Sequence, residues 1–127
     1  MRSHRVLLGL AVLSSALALP LSAGADDGPD DVRRTGTCSR SSEFRLRLRS
    51  DDDVIRVEFE IESNRRGARW AVILLHERRI VFRGNLRTDD GGSVELRRSV
   101  PNWFGADSFV VRATGPRSET CRVSAQL

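Results

Sequence analysis

From residue 43 to the C-terminus, apolar and polar residues alternate in short runs, and turn-forming residues interrupt them about every eight to twelve positions. The run 43–49 puts Phe44, Leu46 and Leu48 on one side and Arg45, Arg47 and Arg49 on the other. In 54–62, Ile55, Val57, Phe59 and Ile61 alternate with Arg56, Glu58, Glu60 and Glu62. This period of two predicts two half-buried strands joined by a solvated turn at 51–53. Further runs at 69–75, 80–86, 94–100, 108–114 and 120–126 bring the count to seven, and no window has the period of an amphipathic helix. The run 69–75 differs from the rest. Trp70, Ala71, Val72, Ile73, Leu74 and Leu75 put apolar side chains on both faces, which predicts a central, covered strand. Residues 38–127 thus read as an all-β, seven-stranded antiparallel β-sandwich.

Matching the inward faces of the first hairpin sets Arg47 opposite Glu58 and Arg45 opposite Glu60. The two charge stripes then neutralise each other, fixing register and keeping the outer face soluble rather than forming a polyion-binding face.

Seven alternating strands also make a prediction about the cysteines. Odd-numbered strands begin at one end, Cys38 precedes the first, and Cys121 opens the seventh, so both sulfurs fall at that end, where a disulfide needs them. The residues are 83 positions apart. Closing so long a loop stabilises a fold by roughly 4 to 5 kcal/mol in the chain-entropy model. The same count makes the first and last strands parallel neighbours.

A disulfide suits an oxidising compartment, and the N-terminus agrees. Basic Arg2 and Arg5, the apolar run 6–13 and the small residues Ala23, Gly24 and Ala25 are the three parts of a secretory signal, with cleavage expected after Ala25. Ser14, Ser15 and Pro20 interrupt the apolar run, which falls short of a stable membrane span. Residues 26–37, with Val32 as their one sizeable apolar side chain, read as a flexible acidic leader. The chain has 21 basic residues, all arginine, against 17 acidic ones. Two of the arginines lie in 1–25, leaving 19 against 17 in the exported part. That near-balance argues against nucleic acid as a partner.

With the strands placed, the chain resembles the immunoglobulin-like sandwiches, with Trp70 on the third strand, although the antibody-type bridge joins other strands. More narrowly, Thr35-Gly-Thr-Cys-Ser39, Val57-Glu-Phe-Glu-Ile-Glu-Ser-Asn64 with Arg69-Trp70, and Glu119-Thr-Cys-Arg122 resemble small secreted proteins of high-GC Gram-positive bacteria. The use of arginine without lysine fits a GC-rich genome. The resemblance implies export and a sandwich fold, and it implies no activity.

Convergent catalytic groups are sparse. His76 is the single histidine after residue 25, and its neighbours Glu77, Arg78 and Arg79 predict a solvated hairpin tip. Asp51, Asp52 and Asp53 lack the spaced ligands and glycine of a calcium loop, and no cofactor or metal is expected. Two loop regions at opposite ends remain as binding candidates. Arg65, Arg66, Arg69 and Arg117 could grip carboxylate, sulfate or phosphate groups on a cell-envelope polymer, unless Asp89 and Asp90 neutralise them. Trp103 and Phe104 either cap the core or form an apolar contact patch. The sequence thus favours a secreted, non-catalytic binding module for an envelope component or another secreted protein. A protease inhibitor or effector and a small hydrolase are the alternatives.

Overall fold

The computed structural model describes residues 30–103 and 105–127, so the proposed signal 1–25, residues 26–29 and Phe104 lie outside the described residues. Eight strands follow one another: β1 (Asp31–Thr37), β2 (Glu43–Asp51), β3 (Val54–Glu62), β4 (Arg69–His76), β5 (Arg79–Arg87), β6 (Ser93–Pro101), β7 (Ser108–Thr114) and β8 (Thr120–Gln126). They form two antiparallel four-stranded sheets, ordered β1-β2-β3-β6 and β5-β4-β7-β8. The seven strands expected from the alternation are β2 to β8.

The eighth, β1, corrects the expectation of a flexible leader for residues 31–37. Its register runs from Asp31 opposite Arg49 to Thr37 opposite Glu43, Val32 packs on the core, and Asp31 takes both ends of a guanidinium fork from Arg47. An edge strand gains much of its stability from backbone pairing, so one apolar residue suffices, and the sequence pattern is correspondingly faint.

The β2–β3 register is the expected one, with Arg47 opposite Glu58 and Arg45 opposite Glu60. The ion pairs differ in one detail. Arg45 bonds Glu60 at 3.1 Å and Glu62 at 2.7 Å, whereas Arg47 turns away from Glu58 to Asp31 at 2.7 Å. The core lies between the sheets, with Leu46, Leu48, Phe59 and Ile61 from one meeting Trp70, Leu74, Phe109 and Val111 from the other, all essentially inaccessible. Full burial of such side chains contributes about 1.5–3 kcal/mol each before the entropy of ordering them is counted.

Cys38 and Cys121 form the disulfide, with Cα atoms 4.4 Å apart. Ser39 and Thr120 reinforce the corner: the Ser39 N–H donates to the Thr120 carbonyl and the Thr120 N–H donates to Ser39 Oγ. The parallel pairing of first and last strands does not occur, because β2 and β8 belong to different sheets. The staple therefore joins the sheets across the sandwich edge where β1 and β8 approach each other. At the same end, Glu119 is buried and accepts from the Ser42 N–H at 3.0 Å and Ser42 Oγ at 2.7 Å. Burial pushes its carboxyl up, but the Ser42 hydrogen bonds outweigh that and hold it below the usual range. Two glycines close this end. A Cβ at Gly115 would lie 2.6 Å from the Trp70 indole, and Gly92 combines φ +83° with the Ser63 carbonyl lying against it.

Candidate functional site

The strand register decides what each sheet shows to solvent. On the first sheet the outward positions carry Arg33, Arg45, Arg47, Arg49, Arg56 and Arg97 together with Asp31, Glu43, Asp51, Glu58, Glu60, Glu62 and Glu95. All the arginine–carboxylate pairs of the described residues lie on this sheet, and they engage Arg33, Arg45, Arg47, Arg56 and Arg97. The Arg47 fork holds the Asp31 carboxyl below its usual range.

The second sheet is built differently. No Asp or Glu occurs in β4, β5, β7 or β8. Its outward positions carry Arg69, Arg83, Arg87, Arg112 and Arg122, all exposed and none in an ion pair among the described residues. Register sets Arg69 directly opposite Arg87 and lines up Arg83, Ile73, Arg112 and Arg122 in one row across β5, β4, β7 and β8. The next row on one side is Ile80, Leu75, Val110 and Ser124, and on the other Asn85, Ala71, Thr114 and Thr120. Like charges placed opposite each other destabilise a sheet, so this distribution carries a cost that local pairing does not offset.

Strand β4 is central, as expected, but it is covered on one face alone. Trp70, Val72, Leu74 and His76 are buried, whereas Ala71 is exposed and Ile73 and Leu75 are half-buried. A bulge between Leu74 and Leu75 shifts β5 so that Ile80 lies opposite Leu75, and Ile80 and Val81 are exposed. Two shallow hollows open on this face. One of about 390 Å³ lies over Ala71 between Arg83 and Arg112, and another of about 260 Å³ lies between Leu75 and Val110.

The arginines singled out from the sequence fall into separate places. Arg65 and Arg66 are exposed on the β3–β4 loop, whose Arg65 carbonyl accepts from Thr88 Oγ1. Arg117 is exposed in the β7–β8 turn with φ 56°, and Arg69 begins the second sheet's outer face. Asp89 folds back on its own turn, accepting from the N–H groups of Gly91 and Ser93 at 2.9 Å.

At the opposite end His76 departs most from its expected place. It is not a solvated tip but fully buried, between the rings of Trp103 (4.2 Å between centroids) and Phe109 (4.5 Å). Asp107 Oδ1 accepts from Nε2 at 2.6 Å, and the Asp107 backbone exchanges two hydrogen bonds with Leu127. Trp103, 39% exposed, lies over the imidazole, with Arg79 5.9 Å from its ring. His76, Glu77 and Asp107 are three groups of metal-ligating type whose donor atoms lie within 4.8 Å of one another. Glu77 accepts from the Ser108 N–H at 2.5 Å, which holds its carboxyl below the usual range, and Asp107 Oδ1 accepts from His76 Nε2. Nδ1 of His76 is buried without a partner.

No protein-family model, curated protein or solved structure matches the chain. The signal for the second face was present in the sequence, as apolar residues on both sides of 69–75 and a lack of acids in four of the seven predicted strands.

Proposed function

We infer that the chain is an exported, non-catalytic binding module that holds an anionic partner on the outer face of the second sheet. One observation carries this reading: five exposed arginines without a single carboxylate across four paired strands. Guanidinium forks match carboxylate, sulfate and phosphate oxygens, and a guanidinium with no partner on its own surface is available to one from outside. The apolar row Ile80, Leu75 and Val110 beside the arginine row adds contact area that excludes water from those pairs. Export is supported by the signal-like residues 1–25 and the Cys38–Cys121 bond. No helix among the described residues is long and apolar enough to cross a membrane. On this reading the partner is a cell-envelope component or another exported protein.

Two variants of equal net charge test the assignment of the face. Arg83→Gln/Arg112→Gln/Arg122→Gln removes three second-face arginines, and Arg33→Gln/Arg49→Gln/Arg97→Gln removes three from the first. On a sulfonate-bearing resin, the second-face variant elutes at markedly lower salt than the first-face variant. Identical elution of the two would show that net charge alone governs binding and would end this reading.

A further inference from the structure

Resting on that reading, we propose that the hollow over Ala71 is a binding site for a linear, hydroxyl-rich polyanion, an acidic glycan or a sugar-alcohol phosphate polymer, lying across the strands of the second sheet. Its floor is Ala71, the smallest outward side chain of β4, with Ile73 beside it. Arg83 and Arg112 stand on the strands either side of β4 and in register with Ile73. At about 4.8 Å per strand their backbones are roughly 10 Å apart. Arg122 continues the row one strand further. One anionic group cannot be shared comfortably over that whole row, whereas successive charges along a chain can each take a guanidinium.

The neighbouring row supplies what the spaces between charges need. Asn85 and Thr114 line the same hollow, and Thr120 extends their row on β8. Amide and hydroxyl groups donate to and accept from sugar hydroxyls, chemistry that an isolated phosphate or sulfate does not call on. The hollow's volume of about 390 Å³ falls within the range of roughly 300–1,000 Å³ usual for small-ligand sites. Its concavity separates the polymer from a lipid surface. A bilayer is flat on this scale and would rest on the arginines at the rim, leaving the Ala71 floor without contacts.

The first sheet also has a hollow, about 360 Å³ over Gly36, and it shows why the second is the one chosen. Glu43, Glu60 and Glu62 line it, and its one arginine, Arg45, is already held by Glu60 and Glu62. An anion entering there would displace two carboxylates and meet a third.

Calorimetric titration of the exported protein tests the proposal with an oligogalacturonate and an oligo(glycerol phosphate) as probes, and galacturonic acid and inorganic phosphate as monomers. At least one oligomer is expected to bind saturably and more tightly than its monomer, and which of the two binds distinguishes a carboxylate from a phosphate polymer. Ala71→Phe fills the hollow without changing charge. It is expected to weaken oligomer binding by about tenfold or more, and Arg83→Gln/Arg112→Gln by about a hundredfold, since each lost charge-assisted contact accounts for about tenfold. Ala71→Phe leaves elution from the sulfonate resin unchanged, and Arg66→Gln/Arg117→Gln leaves oligomer affinity unchanged. Melting curves matching the parent's show that the variants are folded. Undiminished oligomer binding by Ala71→Phe would overturn the site while leaving the cationic face intact. So would anionic vesicles or a DNA duplex binding as tightly as the oligomers and with the same dependence on Arg83 and Arg112. Failure of both oligomers to bind, with the resin result standing, would overturn the polymer and keep the face.

Discussion

The two outer faces of the sandwich set their arginines in opposite surroundings. On the first sheet, Arg45 donates from one nitrogen to Glu60 and Glu62, Arg47 is held in a fork by Asp31, and the outward positions carry seven acids against six arginines. On the second, Arg83, Arg112 and Arg122 share a row with Ile73 and have no carboxylate beside them in any strand. Both faces have the same strand geometry, so the difference lies in which residues alternate with the apolar inward set. A face that neutralises itself has little to offer a charged partner, because any new contact must first break an old one. A face that leaves its cations unmatched tolerates repulsion when alone and is relieved on binding. The whole-chain balance, 21 basic against 17 acidic residues, averages these two arrangements and hides both.

The severest way to break the comparison is to remove what holds the faces back to back. Cys38→Ser/Cys121→Ser is expected to lower stability by roughly 4 kcal/mol, since the bridge closes most of the chain into one loop. Denaturant unfolding of the variant against the oxidised parent measures this. A loss below about 1 kcal/mol would show that the sheets are held by their core alone, with the staple incidental.

Weakening the second sheet by itself comes next. His76 closes the end of β4 against Phe109 and ties Asp107, and with it Leu127, to the core. His76→Ala leaves a ring-sized cavity and a buried Asp107 carboxylate with only the long Trp103 N–H contact of 3.5 Å, for an expected loss of about 3 kcal/mol. His76→Phe keeps the stacking and loses the hydrogen bond, so it should fall between the parent and the alanine variant. If alanine and phenylalanine cost the same, the hydrogen bond to Asp107 rather than the stack secures this end.

These features differ in how well the sequence displayed them, for physical reasons. The strands β2 to β8 end within two residues of their expected limits, because alternation over a half-buried sheet is a strong local signal. The Cys38–Cys121 pairing was expected from two cysteines in an exported chain, and the strand count added that both lie at one end, a property of topology that needs no side-chain detail. Strand β1 escaped notice because an edge strand with Val32 as its apolar anchor owes its order to backbone pairing with β2, which leaves little periodicity behind. His76 misled because Glu77, Arg78 and Arg79 follow it at once, although its inward parity with Trp70, Val72 and Leu74 was already the correct guide. The second face escaped notice for two reasons: apolar residues on both sides of β4 suggested coverage, and a near-balance of charge, which argued only against nucleic acid, did not show where unpaired arginines gather. Both were statements about averages, whereas the site depends on which residues share a row, and register across four strands is fixed only by the assembled sheet.

The mildest test uses acid to titrate one face and leave the other alone. Asp31 is held below its ordinary value of 3.8 by the hydrogen bonds and charge of Arg47, which outweigh its burial. Its stabilising contribution is therefore complete above that value and disappears as pH falls through the lower folded value. Glu119 and Glu77 behave alike from an ordinary value of 4.5, through the Ser42 and Ser108 hydrogen bonds, while Glu60, raised chiefly by its own burial, acts in the opposite sense. The outward positions of the second sheet carry no carboxylate, so their charge stays constant over the same range. Melting temperature should accordingly fall as pH drops below about 4. Arg47→Gln should melt lower than the parent at pH 7 and converge on it in acid, because the protonated Asp31 no longer distinguishes them. Arg112→Gln, which relieves repulsion with Arg122, should melt slightly above the parent and by the same margin at every pH. Parallel curves for Arg47→Gln and the parent would mean that the Arg47–Asp31 fork contributes nothing to the fold. The contrast between the two sheets would then rest on the outward acids, seven on the first face and none on the second, and not on the energy of ion pairing.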